Sequence, residues 1–390
     1  MTRFFCLLAV LMVACTQTPQ PAPVAEDAGG GYWVYYGTYP KETSKGIYRS
    51  QFDPSTGKIS APELAAELRD PSFLAIHPNQ SYLYAVSEVD DFDEEGSGSI
   101  SAYSLDRSSG GIRHLNTVST RGSWPCHLDV DPSGKVVAVA NYRSGSVASF
   151  AINADGSLSE SASFIQHEGS SVHPRQEGPH AHSTDFSADG RFLITSDLGM
   201  DQVLVYSANP TEATLTPNDP PHVEAAAGSG PRHFAFHPNG RYAYSINELA
   251  LTVTAFNWNS QAGTLERIET LSTLPEGAAG DNFSTAEIEV HPSGKFLYGS
   301  NRGHDSIAVF SIDESTGKIV LIQNAPTQGM TPRHFAIGPE GRFLFAANQN
   351  SDTVVLFEID QQSGKLDATG EVVQLDAPVC LKFVPVPESS

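Results

Sequence analysis

One pattern, repeated seven times between residues 32 and 386, constrains this chain more than any single residue does. Its clearest copies read PRHFAFHPNGRYAYSINE (231–248), PRHFAIGPEGRFLFAANQ (332–349) and TAEIEVHPSGKFLYGSNR (285–302). Each is a short alternating strand, a Pro/Gly turn and a second alternating strand, and a third strand such as LTVTAFNWN or DSIAVFSID follows. Period-2 alternation marks half-buried strands. A four-stranded unit recurring about every 50 residues is a β-propeller blade. The last inner strand, PVCLKFVPV, has no second strand after it, whereas YWVYYGT (32–38) is a second strand with no first. The expectation is an all-β, seven-bladed propeller closed by pairing of the N- and C-terminal strands, which leaves only short, protected edges.

This unbroken repeat overrides the prior of two or three domains for 390 residues and predicts one unit over 32–386. The first 15 residues differ in kind. Arg3 precedes an apolar run, Phe4–Val13, that is too short to span a bilayer, and Ala14–Cys15 closes it. MVAC (12–15) resembles a bacterial lipoprotein signal, so Cys15 is the expected lipidation site. Residues 16–31, rich in Pro, Ala and Gly, then form a flexible tether. The expected location is extracytoplasmic, anchored to a membrane through Cys15 and facing the periplasm or cell surface. With 45 acidic and 23 basic side chains the chain carries a formal charge of −22. That excludes a nucleic-acid backbone as partner. Cys126 and Cys380 fall in non-adjacent blades and are read as free thiols, and no Cys/His spacing matches a zinc site. No metal or cofactor is expected.

In a propeller blade the start of the first strand and the end of the second lie at the same mouth of the channel. The aligned repeats therefore map that mouth. First-strand starts are Ser72, Cys126, His182, Arg232, Ala286, Arg333 and Val379, and second-strand ends are Thr38, Glu88, Tyr142, Leu198, Glu248, Arg302 and Gln349. Repeats that agree at turn and core positions diverge here, which is the mark of a functional rim. The richest sector holds His182, Arg232, Glu248 and Arg302, with His180, His233 and Glu287 near them in sequence and Arg333 as a further substrate-binding candidate. Two guanidiniums beside a carboxylate and an imidazole suit an anionic substrate and a proton transfer. The structural alternative is a salt-bridge ring tying blades together. By contrast His77, His237 and His291 precede the inner turns and read as turn residues.

EGPHAHS (177–183), the two PRH triplets (231–233 and 332–334), STAEI (284–288) and SNRGHDSIAVF (300–310) resemble the seven-bladed propeller lactonase family, to which bacterial propeller-type 6-phosphogluconolactonase belongs. A fungal carboxy-cis,cis-muconate lactonizing enzyme is its relative. The resemblance spans about 355 residues. It implies opening or closing of a lactone ring without a metal, by a His, two Arg and a Glu. These match His182, Arg232, Glu248 and Arg302, with His180 as the alternative histidine. The expected partner is a small lactone, anionic or polyhydroxylated. The expected chemistry is hydrolysis of a sugar-type lactone, with His182 as general base and Glu248 orienting or relaying. Two other readings are a muconate-type cycloisomerase and a non-catalytic binding propeller.

Overall fold

The computed structural model describes residues 30–41, 43–93 and 96–387. The export signal, Cys15 and residues 16–29 of the expected tether lie outside the described residues. Twenty-nine strands form seven antiparallel sheets, and no helix occurs among the described residues. Blade four shows the unit. Its strands Pro231–Phe236, Tyr242–Asn247, Thr252–Asn259 and Thr264–Ser272 pair in chain order from the channel outward. The seventh blade is the mixed one. Pro378–Pro385 pairs antiparallel with Tyr32–Thr38, with Tyr36 opposite Leu381, so the two ends of the fold share one sheet.

The apolar faces of neighbouring blades make the core. Middle-strand aromatics such as Tyr35, Tyr84, Tyr244 and Tyr298 are fully buried between them. Each of these hydroxyls donates to the carbonyl of an outer-turn glycine in the next blade; Tyr244 to Gly317 (3.1 Å) and Tyr298 to Gly364 (2.8 Å) are two of the four. Gly317 sits at φ +71°, and a Cβ there would lie 2.4 Å from the Tyr242 ring, so both backbone and packing require glycine.

The turn histidines are latches as well as turn residues. Nε2 of His77, His237 and His291 donates to the carbonyl of Gly134, Gly294 and Gly341, the inner-turn glycine of the next blade. Nδ1 of His237 also accepts the Asn239 N–H. Replacing His237 with alanine removes both bonds and strands a carbonyl. The expected cost is about 1–3 kcal/mol, read as a lower urea midpoint. kcat should stay unchanged, because the inner turn lies at the far end of the strand from the mouth.

The start of each inner strand is irregular, and this positions the site. Pairing in blade four slips between Pro231 and His233, in blade six between Pro332 and His334, and in blade three between Ala181 and Ser183. Arg232, Arg333 and His182 are the extra residues of these bulges. A bulge re-aims side chains, so two consecutive residues reach the channel side.

Candidate active site

The mouth carries two ionic clusters. In the first, Glu248 receives three arginines. Arg232 Nε lies 3.0 Å from Oε2, Arg302 Nη2 3.0 Å from Oε2, and Arg175 Nη1 2.6 Å from Oε1. Arg302 Nη2 also donates to the Thr285 carbonyl (2.8 Å), and Arg175 Nη2 to the Tyr142 hydroxyl (3.1 Å). In the second, Arg333 donates to the Tyr39 hydroxyl (2.8 Å), which donates to Glu88 (2.7 Å). Four arginines against two carboxylates leave a formal +2 at the mouth of a −22 protein.

Of the residues singled out in the sequence, His182, Arg232, Glu248 and Arg302 meet at this one mouth. His182 lies against Cys126 (Nδ1–Sγ 3.7 Å) and meets the rings of Tyr142 and His233 with centroids 5.3 and 5.2 Å away. His180 stacks on Tyr142 and bonds its carbonyl through Nδ1 (2.9 Å). His233 and Glu287 pair one layer below (2.9 Å), and Arg333 belongs to the second cluster. Arg175 is the residue that sequence reasoning missed. It comes from the loop before the third blade, outside the repeat. Its neighbour Gln176 fixes that loop by donating to the Leu198 carbonyl and to Asp201.

Electrostatics separate the roles. Burial alone would raise the Glu248 carboxyl, but Arg302, Arg232 and Arg175 outweigh it and hold the group far below the usual carboxylate range. Glu248 is therefore an anion at neutral pH and an anchor for three guanidiniums. Burial first, then Arg232 and His233, depresses His182 well below 6.5, so the ring is neutral at pH 7. Arg232 is pulled down to about 10 by burial and by Arg302 and Arg333, and stays charged. Arg232 Nη1 and Arg302 Nε have no protein partner. Both nitrogens are buried donors with unused hydrogen-bonding capacity.

Below the mouth a plug closes the channel. Phe73 packs against His127, His233 and His334 at centroid distances of 4.1, 5.9 and 5.6 Å. Farther along the inner strands lie Asp129, Asp185, Glu289 and Lys382, each half-buried. Cys126 and Cys380 are buried and free, and no cluster of metal-ligating side chains occurs among the described residues.

In class, the molecule is a seven-bladed β-propeller with clustered guanidinium, carboxylate and imidazole side chains at one mouth. Residues 33–383 match the family described as "Lactonase, 7-bladed beta-propeller". The 6-phosphogluconolactonase of Bacillus subtilis (strain 168) is 37% identical over 353 residues, covering 90% of this chain and 98% of that one. The 6-phosphogluconolactonase of Formosa agariphila is 36% identical over 301 residues, 76% of this chain and 83% of that one. The structure of a Pseudomonas aeruginosa periplasmic gluconolactonase superposes with a TM-score of 0.86 at 35% identity, covering 91% and 99% of the two chains. The chain belongs to the seven-bladed β-propeller lactonase family. Its enzyme class is that of the lactonases, which are carboxylic ester hydrolases.

Proposed function

We propose that this chain hydrolyses the ring ester of a sugar-type lactone, as a 6-phosphogluconolactonase-like enzyme, at the mouth that carries Glu248. The observation behind this reading is the pair of unpartnered guanidinium nitrogens, Arg232 Nη1 and Arg302 Nε, fixed by one buried carboxylate beside the His182 ring. Water adds to the ring carbonyl, and negative charge grows on the carbonyl oxygen. Donors fixed in advance of the reaction stabilise that charge without reorganising. Glu248 keeps the two arginines together against their repulsion. His182 faces the lactone at the rim, and proton traffic passes through imidazole and not through Glu248.

The net positive mouth favours an anionic or polyhydroxylated lactone. Both kinds of substrate occur in the names of relatives, a 6-phosphogluconolactonase and a gluconolactonase. We further propose export and lipidation at Cys15. Support comes from the sequence of residues 1–15 and from the similarity to a periplasmic gluconolactonase of Pseudomonas aeruginosa. The test is acid release from a panel of lactones by the propeller, with δ-gluconolactone, its 6-phosphate and a muconate-type diacid in separate arms. Acid release from at least one sugar lactone is the expected result. Acid from none, or lactone closure on the diacid alone, would overturn the reading.

A further inference from the structure

A small, partly open cavity lies at the arginines. Arg232, His233, His334, Cys126, Tyr39 and Phe73 are among its lining. Three of these residues carry buried side-chain nitrogens without a protein partner: Arg232 Nη1, His233 Nε2 and His334 Nδ1. The residues are only 2%, 4% and 2% exposed. Orphaned polar atoms at this depth are costly unless something fills the space between them. A water held by two to four polar partners is what such a site fits.

Glu287 sets which nitrogen of His233 is bare. Its Oε1 accepts the Ile288 N–H (3.0 Å) and lies 2.9 Å from His233 Nδ1. An oxygen already acting as acceptor takes the Nδ1 hydrogen as well, so Nε2 is left as a lone pair. Oε2 of the same carboxylate lies 3.3 Å from His334 Nε2. A carboxylate that orients an imidazole, whose other nitrogen faces the reacting atom, is the arrangement of a general base. His182, at the rim, has no such partner.

We propose that this cavity holds the attacking water and that His233, oriented by Glu287, is its general base. The proposal rests on the lactonase reading above. The water donates one hydrogen to His233 Nε2 and accepts from Arg232 Nη1. As its oxygen bonds to the lactone carbonyl carbon, the proton passes to His233 Nε2. The tetrahedral intermediate then expels the ring oxygen. The C–O bond breaks with its electron pair on that oxygen, and the imidazolium returns the proton to it. The hydroxy acid formed ionises in solvent, and no other reactant is required. Burial, followed by Arg232 and Arg333, keeps His233 neutral before substrate arrives.

The test compares His233→Gln, Glu287→Gln and His182→Gln with wild type on the best lactone of the panel. His233→Gln should lower kcat about 100-fold or more with KM little changed, and should erase the acid limb of the kcat/KM profile. Glu287→Gln should lower kcat at least about 10-fold, whereas His182→Gln should retain the acid limb. A folded His233→Gln with kcat near wild type, or an acid limb lost only with His182, would overturn the assignment. Imidazole ¹⁵N NMR of the wild-type chain reads the tautomer independently of turnover. Hydrogen on Nδ1 of His233 supports the dyad, and hydrogen on Nε2 overturns it. Wild type inactive on every lactone sinks the lactonase reading itself, a different result from an active wild type with an active His233→Gln.

Discussion

Glu248→Ala should destabilise the propeller by about 3–5 kcal/mol and abolish measurable turnover. The carboxylate is 2% exposed and holds three guanidiniums. Without it, Arg232 and Arg302 face each other in a pocket that already disfavours their charge. Arg232 sits down at about 10 even with the carboxylate present. An unpaired buried charge costs far more than a surface ion pair gains. Glu248→Gln keeps the shape and removes only the charge, so it should lose most of the same stability. Acid titration adds a sign. The folded-state carboxyl lies below its ordinary 4.5, so its contribution is present above that pH and is lost as pH falls below it. Wild type should therefore lose its advantage over Glu248→Gln only in that acid range. The checks are urea unfolding at pH 7 and at a series of pH values below 4.5, down to about 3. A Glu248→Ala midpoint equal to wild type would mean that the arginines find water when the anion is gone.

The architecture was legible because a propeller is written seven times over. Agreement between copies fixes strands and turns, and the missing seventh second strand at one terminus matches the surplus at the other. Disagreement between copies pointed to the rim, and the structure brings His182, Arg232, Glu248 and Arg302 to that rim. Two things were hidden, for physical reasons. Arg175 lies in a connection between blades, where no repeat supplies a register, and its position depends on Gln176 and Asp201. Its only signal was its place two residues before the motif EGPHAHS. The His233–Glu287 pair was hidden by the bulges. Strict alternation sends Arg232 and His233 to opposite faces of the sheet. The slip between Pro231 and His233 instead lets Arg232 reach Glu248 at the mouth, while His233 reaches Glu287 beside the plug. A one-residue irregularity thus builds two ionic layers from one dipeptide. The PRH copy at 332–334 does the same with Arg333 and His334.

Arg232→Ala should reduce kcat/KM by about 100- to 1,000-fold, with kcat carrying most of the loss. Arg232 spends Nε on Glu248 and keeps Nη1 without a protein partner. Its useful interaction is therefore with charge that develops during the reaction, and such interactions appear in kcat. Stability should fall less than in Glu248→Ala, because Arg302 and Arg175 still neutralise the carboxylate. Arg232→Lys is the sharper variant. An ammonium carries the charge but not the fork, so it can pair with Glu248 or reach the oxyanion and cannot do both. Lysine should restore the unfolding midpoint and leave most of the kinetic defect. Steady-state kinetics with thermal unfolding on the same preparations separate the cases. Loss in KM alone would make Arg232 a ground-state anchor. Unchanged kinetics in both variants would reduce the arginine ring to a strap between blades, with the chemistry placed elsewhere.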